Sequence, residues 1–243
     1  MTLNEQKNLA AVSAIDDLIK HGLIFSGMKI GLGTGSTAMP AVERLAERIR
    51  DGSLSDIRAV PTSFQTTIAC ENLGIPVYSM NSREIGGQLD LAIDGADEID
   101  PGNNAIKGGG AALLREKIVA YNAKVFVIVA DSTKDVPSLG TGFALPVEII
   151  AEARTSVMAE IRSLGAEPVL REGVRKAGPV ITDNGNLILD CRWKAGADGA
   201  APIDPEQMEE RLNRIVGVVE NGFFTAKKPI VYIARENGTV DKR

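Results

Sequence analysis

Apolar positions along the first part of the chain alternate between two spacings. From Asn4 to about Lys20, Leu9, Val12, Ile15, Leu18 and Ile19 recur with a helical period. Met28 to Leu32 is a short apolar run entering a glycine loop. Ala38 to Arg50 returns to the helical period, with Val42, Leu45, Ala46 and Ile49 on one face. The same alternation predicts a strand at Ile57–Val60, a helix from about Phe64 to Asn72, the extended run Pro76-Val77-Tyr78 and a strand at Leu89–Ile93. A helix from about Ala111 to Tyr121 then leads into Val125–Ala130, the most strand-like run in the chain. Strands separated by helices must pair in parallel, which implies an open, mostly parallel, Rossmann-like α/β sheet with helices on both faces.

Beyond Ala144 the rhythm changes. Ala144–Ile149 reads as a strand, Ala151–Leu164 as a helix, and Glu167–Arg171 and Leu187–Cys191 as strands. Pro205–Ile215 reads as a helix and Val218–Phe224 as a strand. This βαββαβ order predicts a smaller ferredoxin-like α+β domain. Pro229–Ala234 is one more strand, able to return to the first sheet. The expected division is residues 1–139 with 229–243 as one domain and residues 140–228 as the other. The Gly- and Ala-rich tract Ala195–Ala201 reads as an exposed loop.

Composition narrows the chemistry. Of 243 residues, 44% are hydrophobic and 24% charged, enough apolar content to build a core, and the net charge of −5 disfavours a nucleic-acid or anionic-membrane surface. No apolar run approaches the roughly 18 residues of a membrane span, and Met1–Ala10 has no apolar signal core, so the expected location is cytoplasmic. Cys70 and Cys191 belong to no CxxC pair. The single histidine, His21, precedes Gly22 in what reads as a helix end, where it complements the helix dipole. Zinc sites of the HExxH type are thereby excluded. Chemistry falls to carboxylates, lysines, hydroxyls and backbone N–H groups.

Three segments carry such groups, each at the carboxyl end of a predicted strand, where open α/β sheets bind ligands. Gly31-Leu32-Gly33-Thr34-Gly35-Ser36-Thr37-Ala38 combines glycines, hydroxyls and a following helix N-terminus, a cradle for a phosphate. It lacks the lysine of a Walker A loop. It fits the loose GxGxxA dinucleotide pattern, but Pro61-Thr62-Ser63 stands where that pattern wants an acid. Asp94-Gly95-Ala96-Asp97-Glu98-Ile99-Asp100 clusters carboxylates that could bind a divalent metal, move protons or cap a turn. Lys107 nearby would neutralise the cluster and favours proton chemistry. Lys107-Gly108-Gly109-Gly110-Ala111-Ala112-Leu113-Leu114-Arg115-Glu116-Lys117 exposes backbone beside a helix N-terminus, suited to an oxyanion. Glu116, inside that helix, is either an ordinary surface glutamate or a base approached over the small Ala111 and Ala112. Lys134, after the strand ending near Ala130, could reach a phosphate.

With these residues in place, the sequence closely resembles the ribose-5-phosphate isomerases of the A type. The resemblance runs through GLGTGSTA (31–38), DGADEID (94–100), KGGGAALLREK (107–117), ADSTK (130–134), LPVEII (145–150), TDNGNLILD (182–190) and GVVENGFF (217–224). It implies interconversion of D-ribose 5-phosphate and D-ribulose 5-phosphate, in the non-oxidative pentose phosphate pathway, through an enediol and without metal or cofactor. It also implies a homodimer or homotetramer. By motif, Glu116 would be the general base between C2 and C1. Asp94 would serve proton exchange between O1 and O2, and Asp97 ring opening. Lys107 with Gly108, Gly109 and Gly110 would stabilise the enediolate. Ser36, Thr37, Lys134 and Lys7 would hold the phosphate, with Thr34, Gly35, Gly95 and Ala96 lining the same loops. Two departures lie outside the motifs: a longer link between the first helix and GLGTGST, and an apparent insertion at Cys191–Ala201.

Three other readings have discriminating features. An amino-sugar-phosphate deaminase of similar architecture needs an active-site histidine, and His21 lies in the first helix. A sugar-phosphate sensor needs a DNA-binding module, for which one leading helix is too short. A nicotinamide-dependent oxidoreductase lacks the acid expected after the second strand.

Overall fold

The structure, a computed structural model, describes residues 1–193 and 203–243. The expected loop Ala195–Ala201, and with it most of the apparent insertion, lies outside the described residues.

In chain order the elements begin with α1 (Leu3–Lys20), β1 (Lys29–Leu32), α2 (Met39–Arg50), β2 (Arg58–Pro61) and α3 (Phe64–Leu73). Next come β3 (Leu89–Asp94), β4 (Glu98–Ile99), β5 (Ala105–Ile106), α4 (Leu113–Tyr121) and β6 (Ala123–Asp131). After a 3-10 turn at Ser132–Lys134 follow β7 (Leu145–Ile149), α5 (Arg154–Ser163), β8 (Ala166–Leu170) and β9 (Leu187–Trp193). The chain closes with α6 (Pro205–Asn213), β10 (Val218–Asn221), β11 (Phe223–Phe224), β12 (Ile230–Ala234) and β13 (Val240–Lys242). It divides into two compact units, one of residues 1–96, 115–135 and 229–243, the other of residues 97–114 and 136–228. Residues 97–114 thus group with the second unit, whereas the linear reading kept them with the first.

The first unit is built on a six-stranded sheet of order β13-β12-β6-β3-β1-β2, parallel except for the antiparallel pair β12–β13. Ile30, Leu32, Leu91, Ile93, Val127 and Val129 alternate onto one face, where they bury against Ala10, Ile15 and Leu18 of α1 and Val42 and Leu45 of α2. Gly31 points to the other face. A Cβ there would overlap the Val119 side chain, so α4 packs directly on β1 because residue 31 has no side chain. The chain winds outward from β1 to β2 and then returns to place β3 on the far side of β1. That reversal sets residues 33–38 and 94–96 at the switch point, where such sheets open a crevice. The helix α1 starts with a reciprocal cap: Thr2 Oγ1 accepts from Glu5 N, and the Glu5 carboxylate accepts from Thr2 N at 2.7 Å.

The second unit holds a four-stranded antiparallel sheet of order β10-β7-β9-β8, with α5 and α6 in the expected βαββαβ sequence. Its core gathers Leu145, Val147 and Ile149 with Leu189, Val157, Ile161, Leu212 and Phe223. A further small sheet runs β11-β5-β4. Two sequence expectations change here. The helix expected over Ala151–Leu164 is a 3-10 turn at Ala151–Ala153 followed by α5. The strand expected over Val218–Phe224 is two strands in two sheets, parted at Gly222. Gly222 N donates to Pro146 O at 2.8 Å and its carbonyl accepts from Lys107 N at 2.9 Å. A side chain there would overlap the Lys107 carbonyl, which is why the strand breaks at a glycine.

Candidate active site

In the first unit the phosphate-loop candidates sit where β1 runs out. Gly33 N donates to Ile93 O at 2.9 Å, extending the ladder one residue past the strand. The loop is fixed by a cluster of hydroxyls. Thr34 Oγ1 lies 2.7 Å from Thr62 Oγ1 and donates to Ser63 Oγ at 2.7 Å, while Thr66 Oγ1 donates to the Gly33 carbonyl at 2.7 Å. Thr62, Ser63 and Thr66 are all buried. Gln65 Oε1 accepts from Gly35 N at 3.2 Å. Position 61–63, where a dinucleotide site would carry an acid, therefore braces the glycine loop instead. The sequence reading noted Thr62 and Ser63 only as the place where an acid is missing, and it did not mark Gln65 or Thr66. Their one signal is a run of hydroxyls immediately after a strand. Gly35 has φ +92°, a conformation a side chain would strain. Ala38, the residue before α2, supplies no capping side chain; Met39 N donates to Gly35 O at 3.1 Å, Pro40 has no N–H, and Ala41 N donates to Ala38 O at 3.0 Å, so the backbone itself closes the start of the helix.

Lys7, on α1, donates from Nζ to Ser36 Oγ at 3.2 Å, which brings together two of the expected phosphate ligands. Lys134 lies in the turn after β6. The buried Gln6, next to Lys7, links the two places: its Oε1 accepts from Ser132 N at 3.1 Å and Ser132 Oγ at 2.8 Å. Asp131 caps the same turn, accepting from Thr133 N at 3.0 Å. Gln6 is another residue the sequence did not mark, although Lys7 beside it was named.

Asp94 ends β3 and is 4% exposed. Its Oδ1 accepts from Thr34 N at 3.2 Å and Gly95 N at 2.7 Å. Gly95 packs so near Thr37 that a Cβ would sit 3.1 Å from Thr37 Cβ. Thr34, Thr37, Asp94 and Gly95 are thus brought to one place, with Ala96 next in the chain. Glu116 lies in the first turn of α4 and is 5% exposed, so it is no ordinary surface glutamate. It stands three residues before Val119, hence on the face of α4 that Gly31 allows against β1. Arg115 stacks over the Phe64 ring, 5.6 Å from its centre.

The remaining candidates belong to the second unit. The carboxylate run that looked like one cluster is divided by the turn of the chain into β4. Asp97 Oδ2 accepts from Gly109 N at 2.8 Å. Glu98, 2% exposed, accepts from Gly140 N, Gly142 N and Phe143 N at 2.6 to 2.8 Å, a structural anchor for that loop. Asp100 accepts from Asn104 N and Nδ2, each at 2.8 Å. Lys107 is 3% exposed, with Nζ over the Phe224 ring at 5.6 Å from its centre. Gly108 takes φ +105° and Ala111 φ +59°, and Ala111 N closes back on Gly108 O at 3.0 Å. The helix expected from Ala111 consequently starts at Leu113.

The scarce residues are structural. His21 caps α1, with Nδ1 2.8 Å from Asp17 O, and Gly22 beyond it takes φ +71°. Burial raises the Cys70 thiol pKa to about 11 and pushes that of Cys191 up as well. Among the described residues no helix is long and apolar enough to cross a membrane.

Residues 58–238 match the family model of ribose 5-phosphate isomerase A (phosphoriboisomerase A). A ribose-5-phosphate isomerase A of Treponema denticola is 60% identical over 241 residues, covering 99% of both chains. The corresponding protein of Treponema pallidum is 52% identical over all of this chain and 94% of its own. A D-ribose-5-phosphate isomerase solved in complex with phospho-erythronic acid superposes with a TM-score of 0.90 at 40% identity, covering 100% of this chain and 99% of the other. The ribose 5-phosphate isomerase A of Methanocaldococcus jannaschii gives 0.87 at 38% identity, with both chains covered completely. With the motif residues in these positions and the likeness extending over the whole chain, the protein belongs to the ribose-5-phosphate isomerase A family.

Proposed function

We propose that the protein interconverts D-ribose 5-phosphate and D-ribulose 5-phosphate, an intramolecular aldose–ketose isomerisation. The observation that carries this reading is the likeness, from end to end, to proteins named for that reaction, with every motif residue present. The chemistry demands a base for a weakly acidic proton α to a carbonyl and a counter-charge for the oxyanion that develops.

Glu116 is the base in this reading, taking the proton from C2 of the aldose and returning it to C1. Asp94 relays the hydroxyl proton between O1 and O2, and Asp97 assists ring opening. Lys107 and the backbone of Gly108, Gly109 and Gly110 stabilise the enediolate. Burial of Glu116, Asp94 and Lys107 supports these roles, since charges shielded from water act more strongly on a transition state. Asp97 holds Gly109 N–H in this structure, which leaves Lys107 with the N–H groups of Gly108 and Gly110 for the enediolate. Ser36, Thr37, Lys7 and Lys134 hold the phosphate, Thr34, Gly35, Gly95 and Ala96 shape the loops, and binding remote from the reacting carbons orients the open-chain sugar. The protein works as a homodimer or homotetramer in the cytoplasm. Exposed Phe64 and Ile68 on α3 give apolar surface for self-association, to be read from the mass in solution.

The test is NMR of ribose 5-phosphate in D₂O with EDTA, with Glu116→Gln run in parallel. Ribulose 5-phosphate carrying deuterium at the exchanged carbon, and neither product nor exchange with the variant, is the expected result. A folded wild-type protein giving no product and no exchange overturns the reading.

A further inference from the structure

We propose that Arg171 is a positioning residue for the reaction, acting through the glycine loop 108–110. The inference rests on the reading above that this loop stabilises the enediolate.

Arg171 follows β8, and its side chain is 15% exposed. The guanidinium makes two sets of contacts within the second unit. Nε and Nη2 donate to the two carboxylate oxygens of Asp190, at 2.9 and 2.5 Å, a bidentate pair that fixes the plane of the fork. Nη1 then donates to Gly108 O and to Gly109 O, each at 3.0 Å. Main-chain bonds of residue 171 hold the base of the side chain: its N donates to Ile188 O, and its carbonyl accepts from Val180 N, both at 2.9 Å.

The consequence follows from peptide planarity. In a trans peptide the N–H points away from the C=O of the same unit. The Gly108 carbonyl shares its plane with Gly109 N–H, and the Gly109 carbonyl with Gly110 N–H. By drawing both carbonyls to one side, Arg171 turns both N–H groups to the other. Gly109 N–H is found where this predicts, donating to Asp97 Oδ2. The loop has little stiffness of its own, with three successive glycines and φ +105° at Gly108. Ala111 N also holds Gly108 O from within the loop, so the outside clamp acts chiefly on the Gly109–Gly110 peptide, whose N–H is the donor that Asp97 does not occupy. Lysine cannot replace Arg171, because one ammonium lacks the planar fork that serves a carboxylate and two carbonyls together.

The experiment compares Arg171→Ala, Arg171→Lys and Asp190→Asn with wild type, and uses Lys107→Ala as the control for the loop itself. Steady-state rates on ribose 5-phosphate, thermal midpoints, and the affinities for phospho-erythronic acid and inorganic phosphate are measured. Arg171→Ala is expected to lower kcat by about 10- to 100-fold, as misdirected donors do, with KM within about threefold. Phospho-erythronic acid is expected to bind more weakly in proportion, and inorganic phosphate unchanged. Arg171→Lys is expected to regain the thermal midpoint and not kcat, with Asp190→Asn intermediate. If Arg171→Ala folds and keeps kcat within threefold, if Lys restores kcat, or if phosphate affinity falls in step with kcat, the positioning role is overturned. If Lys107→Ala keeps its kcat, the loop is not the oxyanion site, and the inference falls with that reading.

Discussion

Gly33 and Asp94 occupy space that admits only one side chain. A Cβ at residue 33 would overlap the Asp94 carboxylate and crowd its Cα. The glycine is thus required less for a turn than for the position of the acid. Gly33→Ala is expected to displace Asp94, lowering kcat by about 10²-fold, while overpacking destabilises the fold by about 1–3 kcal/mol. Kinetics together with chemical denaturation check both effects. A variant with wild-type kcat would show that the position of Asp94 is not critical.

The two lysines proposed to hold the phosphate should separate binding from chemistry. Lys7→Ala and Lys134→Ala are each expected to raise KM by about tenfold, equivalent to about 1.4 kcal/mol, and to change kcat far less. Gln6→Ala, which cuts the link to Ser132, is expected to raise KM in the same direction by a smaller factor. Full progress curves over a range of substrate concentrations read these directly.

Both thiols should be silent in the native protein. Cys70 and Cys191 are buried and their pKa values raised by desolvation, Cys70 to about 11, so little thiolate forms at pH 8. Ellman's reagent is expected to react with neither thiol until denaturant is added, and then with both. Rapid reaction of a native thiol would show local opening around it.

An acid-dependent contribution to stability comes from Asp135. Burial alone would raise its pKa, but hydrogen bonds from Arg235 and Arg243, at 2.7 and 2.8 Å, prevail and lower it below its ordinary 3.8. A depressed folded-state pKa means the contribution is whole above the unfolded value and is lost as pH falls through the folded one. Asp135→Asn is therefore expected to cost about 1 kcal/mol near pH 7, with the gap to wild type closing below pH 4. Urea denaturation at pH 7 and at successively lower pH measures it. A gap that persists undiminished in strong acid would contradict the ion-pair origin.

The parts of this molecule legible in its sequence are those with long periodic patterns. The central sheet and its helices follow from Ile30, Leu91, Val127 and their alternating neighbours, and the βαββαβ unit follows from the order of its runs. What escaped detection was short or non-local. The two-residue strands β4 and β5 are too brief to show a period, and β13 is a three-residue edge strand with Asp241 and Lys242 exposed. The break at Gly222 depends on the Lys107 carbonyl, more than a hundred residues earlier. Spacing alone could not separate the acids of DGADEID, because seven residues cannot reveal that β4 turns back on β5, sending Glu98 to the 140–143 loop and Asp97 to Gly109. Arg171 and Gln6 had no motif to mark them, since each acts on a backbone group remote in sequence.

The hydroxyl cluster around Thr34 has one more consequence. Thr34, Thr62, Ser63 and Thr66 stay neutral at any pH where the protein is folded, so the geometry they impose on residues 33–35 does not titrate. A phosphate monoester does, losing its second proton near pH 6. If Ser36 and Thr37 hold the phosphate as proposed, the loop so braced keeps one shape for the monoanion and the dianion. As far as these four hydroxyls are concerned, the change in affinity for a sugar phosphate between mild acid and neutrality is expected to follow the ionisation of the ligand.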